Sequence, residues 1–334
     1  MLLSIVVSGC GESRPVVNIY NWGDYIDPQI ISMFEKEYGV KAVYDTYATN
    51  EDLYIKLKKG GSSYDVVIPS DYMIERMIRE NLLAKLDFDN IDQYKNIDDD
   101  FLNLDYDPSN EYSVPYMWGT VGIIYNKEMV SRPLTSWADL WDEEFSGQII
   151  MLNSQRDSIA VALKKLHYSM NTRDIKELEE AKNELIAQKP LVYAYLGDEV
   201  KSVMTGGEAA IAVVWSGDAV IMMQENEDLE YVIPLEGTNL WFDAMVIPEN
   251  AKNKSGGEDF INFVSRPDIA ALNAEYIGYS SPIYLAVDLL PEELSNDPVA
   301  YPDPSLLINT EIFKDPQDIL TEYDRIWTEI TSAH

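Results

Sequence analysis

The feature that most constrains the fold is a regular alternation of strand-like and helix-like segments over residues 16–79. Runs of β-branched and aromatic residues predict strands over 16–20, 40–47 and 65–68. Asp27-Pro28 and then Thr49 or Asn50 supply helix N-caps between these strands, and a third helix follows Pro69-Ser70. This order is typical of a parallel sheet with crossover helices.

The rest of the chain predicts a second α/β region. Strands are predicted over 121–125, 149–152, 192–195, 209–215 and 240–248, and helices over 159–167 and 175–188. At 334 residues, the chain also exceeds the size at which a single hydrophobic core usually stops growing. We therefore expect an α/β protein with two domains.

The carboxyl ends of the first three predicted strands carry aromatic and hydrogen-bonding residues. These ends are the segments 22–25, 48–51 and 70–72, and the first of them lies in the sequence Tyr-Asn-Trp-Gly-Asp-Tyr over 20–25. In open α/β sheets, ligands bind beyond the carboxyl ends of the strands. The aromatic residues around Trp22 are therefore better explained by a binding site than by packing alone.

Two further pairs of an aromatic residue and an aspartate occur in the second region. Trp215 and Asp218 end one predicted strand, where Asp218 can serve equally as a helix cap or as a ligand contact. Trp241 and Asp243 lie two residues apart in another strand, so they share one face of the sheet. A carboxylate buried beside tryptophan is costly unless it is paired, and a cationic ligand would pair it.

The charge balance excludes one class of partner. The chain has 25 Lys and Arg against 58 Asp and Glu, a formal net charge of −33. Nucleic-acid binding requires a basic surface, so it is not expected here. The acidity attracts cations, although it is explained equally well as a device that keeps the protein soluble.

The single cysteine, Cys10, predicts a lipid anchor. It ends the sequence Val7-Ser8-Gly9-Cys10 after an apolar run, in the order found at a bacterial lipoprotein signal, although the basic region expected before that run is missing. No other segment has the roughly 20 apolar residues of a spanning helix. We expect residues 1–15 to be a signal remnant and tether, and the protein to be extracytoplasmic and attached to the membrane only through lipid.

Residues for catalysis are sparse. His167 and His334 lie at a predicted helix end and at the last position, and neither has a triad-like setting. The acidic run of Asp87, Asp89 and Asp92 lacks the glycine and glutamate of a calcium loop. We expect no enzyme activity, cofactor or metal, although aromatics with paired carboxylates leave a lipid-anchored glycoside hydrolase as an alternative.

A linear polyamine fits the aromatic and acidic residues together. Its methylene segments need apolar walls and its ammonium groups need carboxylates or ring faces. A cation over a tryptophan or tyrosine ring contributes roughly 0.5 to 2 kcal/mol. A carrier for another solute, such as an oligosaccharide, would use the aromatic residues but would not depend on charge.

Several separate motifs give the chain a family resemblance. It resembles the extracytoplasmic solute-binding proteins of spermidine/putrescine ABC transporters from about Val16 to the C-terminus. The motifs are those at 20–25, 69–72, 114–119, 135–141, 241–243 and 277–279. The resemblance implies a type II periplasmic-binding-protein fold, with two α/β lobes, a hinge and a ligand cleft between the lobes that closes around the ligand.

The same resemblance implies the extent of the lobes and the partners. Lobe 1 is expected over 16–119 plus 243–287, and lobe 2 over 120–242 plus 288–334. The protein is expected to be a monomer that captures putrescine or spermidine. It would then deliver the polyamine to a membrane permease driven by an ATPase.

An aromatic box and a set of polar contacts are implied for the ligand. The box consists of Trp22, Tyr25, Tyr72, Trp215, Trp241 and Tyr279. The other contacts are Asp157 for a terminal amine, Asp243 as the central carboxylate, and Asp24, Ser70 and Asp218 as further polar positions. Tyr25 and Tyr72 each also open a helix, which their side chains could simply staple.

Two positions depart from the family pattern. Ser154 stands where well-known spermidine binders have a second aspartate, and Phe313 or Lys314 falls near a family glutamine. The first departure removes a carboxylate from one end of the site and leaves open the choice between a diamine and a triamine. The other tryptophans, Trp118, Trp137, Trp141 and Trp327, are predicted to pack in the core or hinge.

Overall fold

The computed structural model describes residues 14–60 and 63–333, and it has the α/β architecture that the sequence predicts. Cys10 and the predicted lipoprotein signal lie outside the described residues. The strands are β1 (Val16–Trp22), β2 (Lys41–Tyr47), β3 (Val66–Val67), β4 (Ser113–Asn126), β5 (Ile149–Leu152), β6 (Val192–Leu196), β7 (Ile211–Trp215), β8 (Leu229–Val232) and β9 (Leu240–Val246). They form a sheet in the order β2-β1-β3-β9-β4-β7-β5-β6, and β8 pairs with β4.

Helices connect these strands and complete the C-terminal part. They are α1 (Pro28–Tyr38), α2 (Asn50–Lys58), α3 (Asp71–Arg79), α4 (Gln155–Lys165), α5 (Ile175–Gln188), α6 (Val200–Thr205), α7 (Ser216–Glu225), α8 (Lys254–Val264), α9 (Pro267–Ile277), α10 (Tyr284–Val287), α11 (Glu292–Ser295) and α12 (Leu320–Ser332). In the part of the chain that the structure describes, no helix has the length and apolar character needed to cross a membrane.

The predicted βαβ alternation of the first 79 residues is confirmed. β1 pairs in parallel with both β2 and β3. The Asp27 carboxylate caps α1 by accepting from the Gln29 amide at 2.8 Å, and Gly39 ends that helix in the left-handed region with φ 66°. Thr49 caps α2 through the Asp52 amide at 3.1 Å. The carboxyl ends of β1, β2 and β3 therefore face the same edge of the sheet.

Strand β4 is longer than predicted and joins the two halves of the sheet. The sequence predicts a strand over 121–125, but β4 runs from Ser113 to Asn126. Its first half is not predicted because it contains Pro115 and Gly119, and such residues are unfavourable within a strand. Pro115 is accommodated where the register shifts between Pro115 and Met117, a feature of β-bulges.

The partners of β4 change along its length. Its first part pairs with β9, from Ser113 opposite Val246 to Thr120 opposite Leu240. From Val121 onward it pairs instead with β7 and, from Ile123, with β8. The predicted lobe boundary between 119 and 120 falls beside this change, and the one between 242 and 243 falls within β9. The lobe assignment itself stays a prediction.

Helix α4 begins earlier than the predicted 159. Ser154 has an extended backbone, and its hydroxyl accepts from the Asp157 amide as the N-cap. The polar first turn, which includes Gln155 and Arg156, gives no apolar periodicity and so escapes prediction. The consequence for function is that Asp157 lies in the first turn of a helix directly after β5.

Candidate ligand-binding site

A cleft of about 280 Å³ lies beyond the carboxyl ends of the parallel strands, between the two halves of the sheet. Its walls come from segments that follow β1, β2, β3, β5 and β6, from the end of β7, and from β9. All of the residues that the sequence predicts as ligand contacts line it: Trp22, Asp24, Tyr25, Ser70, Tyr72, Asp157, Trp215, Asp218, Trp241, Asp243 and Tyr279. The structure thus brings the predicted residues together, and their contact with a ligand stays a prediction.

Ring contacts and a hydrogen bond hold the aromatic walls in place. The Trp22 indole Nε1–H donates to the Ile68 carbonyl at 2.9 Å, and its ring packs 4.5 Å from that of Tyr47. Across the cleft, the Tyr279 ring makes edge contacts with Tyr25 at 5.3 Å and with Trp241 at 5.4 Å. Such pairs contribute about 0.5–1.5 kcal/mol each beyond their burial, so they favour this arrangement of the walls without a ligand.

Two glycines allow these rings to lie against the backbone. A Cβ atom on Gly217 would fall 2.2 Å from the Tyr279 ring, and one on Gly119 would fall 2.6 Å from the Trp241 ring. Both positions therefore exclude any larger residue without displacement of an aromatic wall. Gly217 lies between Trp215 and Asp218 in the sequence. Because it has no side chain, the Tyr279 ring can pack beside that pair.

Asp243 is the central carboxylate of the cleft. It lies in β9 with little exposed surface, and it forms a backbone bridge with Ser70. Burial raises the pKa of the Asp243 carboxyl to about 7. The Ser70 and Tyr25 hydroxyls lie close enough to oppose this rise of the pKa, but neither forms a well-aligned hydrogen bond, and Oδ1 has no partner among the described residues. The cleft thus holds a carboxylate whose ionised form is costly until a cation reaches it.

One end of the cleft, named here the Asp157 end, consists of Glu51, Tyr72, Ser154, Asp157 and Asn239. The Ser154 hydroxyl donates to Asp157 Oδ2 at 2.7 Å, and the Asn239 amide donates to Oδ1 at 3.4 Å. The Tyr72 hydroxyl donates to Glu51 Oε1 at 3.2 Å. Burial raises the pKa of both carboxyls, Asp157 and Glu51. Within the described residues, neutral side chains therefore donate to the carboxylates of this end, while the nearby Arg156 guanidinium opposes the rise of their pKa.

Arg156 lies behind the Asp157 end but directs its hydrogen bonds elsewhere. Its guanidinium donates to the Lys314 carbonyl at 3.0 Å and to Asn171 Oδ1 at 3.4 Å. It also lies over the rings of Tyr72 at 5.1 Å and Phe313 at 4.4 Å. These contacts make Arg156 a packing element that supports the aromatic wall rather than a hydrogen-bonding partner for Asp157.

The opposite end, named here the Lys201 end, consists of Asp24, Asp198, Lys201 and Asp218. Lys201 Nζ lies 3.3 Å from Asp24 Oδ2 and 3.6 Å from Asp218 Oδ1. Asp218 is in the first turn of α7 and does not cap it, because the N-cap position belongs to Trp215. Burial raises the pKa of the Asp218 carboxyl to about 6, against the opposing effect of Lys201.

Several cleft residues were missed by the sequence analysis. The polar and aromatic ones include Asn50, Glu51, Asp71, Asn153, Gln155, Asp198, Lys201, Asn239 and Trp327. Glu51 lies in the segment 48–51, which the sequence already identifies as the carboxyl end of a predicted strand. Its carboxylate could therefore have been predicted as a ligand contact. Trp327 packs against the core, as predicted, and α12 also brings it to the cleft, where its ring lies beside Tyr195. Trp137, by contrast, is fully buried as predicted.

The unsatisfied atoms of the cleft define what it can bind. Among the described residues, four buried acceptor oxygens of cleft residues have no hydrogen-bond partner: Gln155 Oε1, Asn239 Oδ1, Asp218 Oδ2 and Asp243 Oδ1. One buried donor of the described lining, Trp241 Nε1, also lacks a partner. The described lining holds one lysine against these carboxylates: Asp24, Glu51, Asp71, Asp157, Asp198, Asp218 and Asp243. No group of three metal-ligating side chains occurs in residues 14–60 and 63–333. The cleft therefore suits a ligand with cationic hydrogen-bond donors and apolar segments.

Comparisons with known proteins agree with this chemistry. The family described as bacterial extracellular solute-binding protein matches residues 29–302. The chain is 40% identical over 325 residues to the spermidine/putrescine-binding periplasmic protein of Escherichia coli (strain K12), covering 96% of this chain and 93% of the relative. It is 34% identical to the putrescine-binding periplasmic protein of Pseudomonas aeruginosa (strain UCBPP-PA14), covering 98% and 95%.

A solved structure extends the similarity to the fold. The spermidine/putrescine ABC transporter substrate-binding protein of Streptococcus pneumoniae superposes with a TM-score of 0.82 at 42% identity. The alignment covers 95% of this chain and 98% of that protein. The two proteins therefore share one fold over nearly the whole of both chains.

Proposed function

The chain belongs to the bacterial extracellular solute-binding protein family, and we propose that it binds a linear polyamine, putrescine or spermidine, as the capture component of an ABC importer. The polyamine lies in the cleft, with its methylene segments between the aromatic walls and its ammonium groups on buried carboxylates. The protein then delivers it to a membrane permease driven by an ATPase. It acts as a monomer and performs no chemistry on the ligand.

The observation that carries this proposal is the set of buried acceptors without donors. Asp243 Oδ1 and Asn239 Oδ1 lie in a cleft whose described lining is rich in carboxylates. An ammonium group offers three N–H donors and no acceptor. It can therefore donate to these oxygens without bringing an acceptor atom that would itself need a donor. Charge-assisted hydrogen bonds of this kind are about twice as strong as neutral ones.

Two alternatives left open by the sequence fit less well. Membership of the family favours a solute-binding protein over a lipid-anchored glycoside hydrolase. A neutral oligosaccharide would find aromatic walls, but it would leave the Asp243 carboxylate, whose pKa burial raises to about 7, without a cation. The cleft therefore supports a cationic ligand over a neutral one.

Titration calorimetry with putrescine, cadaverine, spermidine and spermine tests this proposal. We expect heat and an increase of the melting temperature with at least one polyamine, and none with 1,4-butanediol, which has the length of putrescine without its charges. Binding should weaken as salt is added. Absence of heat and of thermal stabilisation with all four polyamines would contradict the proposed function.

We also propose that Cys10 carries the lipid that holds the protein at the outer face of the cell membrane. The support is the sequence Val7-Ser8-Gly9-Cys10 alone, and Cys10 lies outside the described residues. Expression of the full chain with labelled palmitate should give a labelled, membrane-bound protein, and Cys10→Ser should remove the label and release the protein. Equal labelling of both proteins, or equal membrane attachment, contradicts the anchor.

A further inference from the structure

Lys201 is surrounded by three carboxylates at one end of the cleft. Its Nζ lies 3.3 Å from Asp24 Oδ2, 3.6 Å from Asp218 Oδ1 and 3.9 Å from Asp198 Oδ1. The lysine side chain is 23% exposed and that of Asp218 only 7%. A primary ammonium from the protein itself thus occupies a setting that resembles the one proposed for the ligand.

The local folding of three segments produces this arrangement. Asp24 follows β1 in the left-handed region with φ 43°, which turns its side chain toward the segment after β6. That segment lies close by, since a Cβ atom on Gly23 would fall 2.9 Å from Asp198 Oδ2. Lys201 follows in α6, and Asp218 in the first turn of α7. The lysine therefore reaches from one predicted lobe to an aspartate of the other.

The three ion pairs differ in their consequence. The side chains of Asp24 and Asp198 are 73% and 54% exposed, so solvent screens their interaction with the lysine. Asp218 is buried, and its charge needs a partner inside the cleft. Lys201 supplies that partner at Oδ1. The Tyr279 hydroxyl lies near the carboxyl and favours its ionised form, but Oδ2 has no well-aligned donor among the described residues.

A ligand ammonium that reached Asp218 Oδ2 would lie beside the Lys201 ammonium. Like charges placed face to face weaken binding strongly. Among the described residues, no lysine or arginine forms an ion pair with Asp243 or Asp157. The donors to Asp157 are a hydroxyl and an amide, and the nearby Arg156 guanidinium directs its hydrogen bonds to the Lys314 carbonyl and Asn171. The cleft therefore offers a ligand two places for ammonium groups and resists a third.

We propose that Lys201 acts as a built-in ammonium at the Lys201 end and selects a short diammonium ligand over a longer polyamine with a third charge. This inference rests on the proposed function, because it concerns which polyamine the same cleft prefers. Lys201 is thus a specificity-determining residue. It also accounts for the presence of a lysine in a cleft otherwise lined by carboxylates.

Calorimetric dissociation constants for putrescine and spermidine, measured on the full chain and on Lys201→Met, test the inference. Removal of the ammonium with retention of the apolar stem should lower the ratio of the spermidine to the putrescine dissociation constant by about tenfold or more. Lys201→Arg keeps the charge and should leave that ratio within about twofold. Lys85→Met removes a lysine that pairs with Glu111 outside the cleft, and should also leave the ratio unchanged.

The outcomes separate this inference from the function on which it rests. A folded Lys201→Met whose ratio equals that of the wild type overturns the inference while the proposed function stands. A wild type that binds neither polyamine overturns the proposed function, and the inference falls with it. Should Lys201→Met fail to fold, Lys201→Gln provides the same readout with a polar side chain that can hydrogen-bond to Asp24.

Discussion

The two ends of the cleft both carry acidic side chains, but they balance the charge in different ways. At the Asp157 end, Ser154, Asn239 and Tyr72 donate as neutral groups to the carboxylates. At the Lys201 end, a lysine of the protein lies among three carboxylates. The first arrangement leaves its negative charge for a ligand to neutralise, whereas in the second Lys201 offsets one of three charges and lies beside the buried Asp218.

This difference shows that the number of carboxylates in a site does not give the number of cations it binds. The ionised form of a buried carboxyl is costly, and either a ligand or a fixed side chain can offset that cost. The protein uses Lys201 at one end and leaves Asp157 and Asp243 to the ligand. The comparison also predicts how unequal the effects of matched substitutions will be.

The largest effect is expected at Asp243, which serves as the reference for both ends. Asp243→Asn keeps the shape of the side chain but removes the charge partner of a desolvated ammonium, at a cost of about 3 kcal/mol, or roughly 100-fold in affinity. Calorimetry with putrescine and spermidine measures it. Glu111→Gln, which removes an exposed carboxylate that pairs with Lys85, is the control and should leave affinity unchanged. Near-native binding by Asp243→Asn would refute its central role.

The comparison itself is tested by Asp157→Asn and Asp218→Asn. Each removes one buried carboxylate from an opposite end of the cleft. We expect Asp157→Asn to weaken putrescine binding by about 30-fold, because a ligand ammonium loses its charge partner. Asp218→Asn should change it by about threefold or less, because the lost charge was paired with Lys201, which keeps Asp24 and Asp198 as partners. Equal losses in the two variants, or a larger loss for Asp218→Asn, would break the comparison.

The pH dependence of binding should follow Asp243. Burial raises the pKa of this carboxyl to about 7, so it binds a proton below that pH and cannot pair with a cation. Affinity for putrescine should therefore fall by about tenfold from pH 8 to pH 6, as the ionised fraction falls. Calorimetry at several pH values measures this fall, and Asp243→Asn should flatten it. The Asp218 carboxyl, with a pKa of about 6 beside Lys201, should contribute at the acidic end of this range.

The stability of the free protein should show the opposite dependence. Because the folded-state pKa of Asp243 lies above the value in an unfolded chain, folding favours the protonated form. The stability that this proton contributes is complete below about pH 4 and is lost as the pH rises through about 7. Chemical unfolding of wild type and Asp243→Asn should differ in this slope between pH 4 and 7. Parallel curves for the two proteins would show that Asp243 does not titrate in this range.

The smallest effect is expected at Ser154, whose hydroxyl donates a hydrogen bond to the Asp157 carboxylate. Ser154→Ala removes both the N-cap of α4 and a donor to Asp157, and should lower the free energy of unfolding by about 1 kcal/mol. Ser154→Asp restores a capping oxygen and should recover that stability, while it adds a charge to the Asp157 end. Chemical unfolding measures both. No loss of stability in Ser154→Ala would show that the cap does not contribute.

Much of the fold could be predicted because the signals are local. The Asp27 cap, Gly39 and the β-branched runs lie within single elements, so they identify β1, α1 and β2 without any knowledge of the partners. The first half of β4 could not be predicted in the same way. Its Pro115 and Gly119 are tolerated because of a register shift and the close approach of Trp241, and both are tertiary features.

The same distinction holds for the cleft. The predicted site residues lie at strand ends, and the topology of a parallel sheet brings such ends together. Lys201 and Trp327 lie in helices whose local sequence gives no sign of a cleft. The fold alone brings them there, through α6 beside the β1 turn and through α12 at the C-terminus. The residue that distinguishes the two ends was therefore invisible in the sequence.

A crystal structure of the full chain with putrescine would show which side chains hold the two ammonium groups. We predict density for a four-carbon diamine between the aromatic walls. One ammonium should lie within hydrogen-bond distance of Asp243, the other should lie at the Asp157 end, and Lys201 should remain beside Asp218. An empty cleft at saturating putrescine, or a diamine bound against Asp218 with Lys201 displaced, would contradict the account.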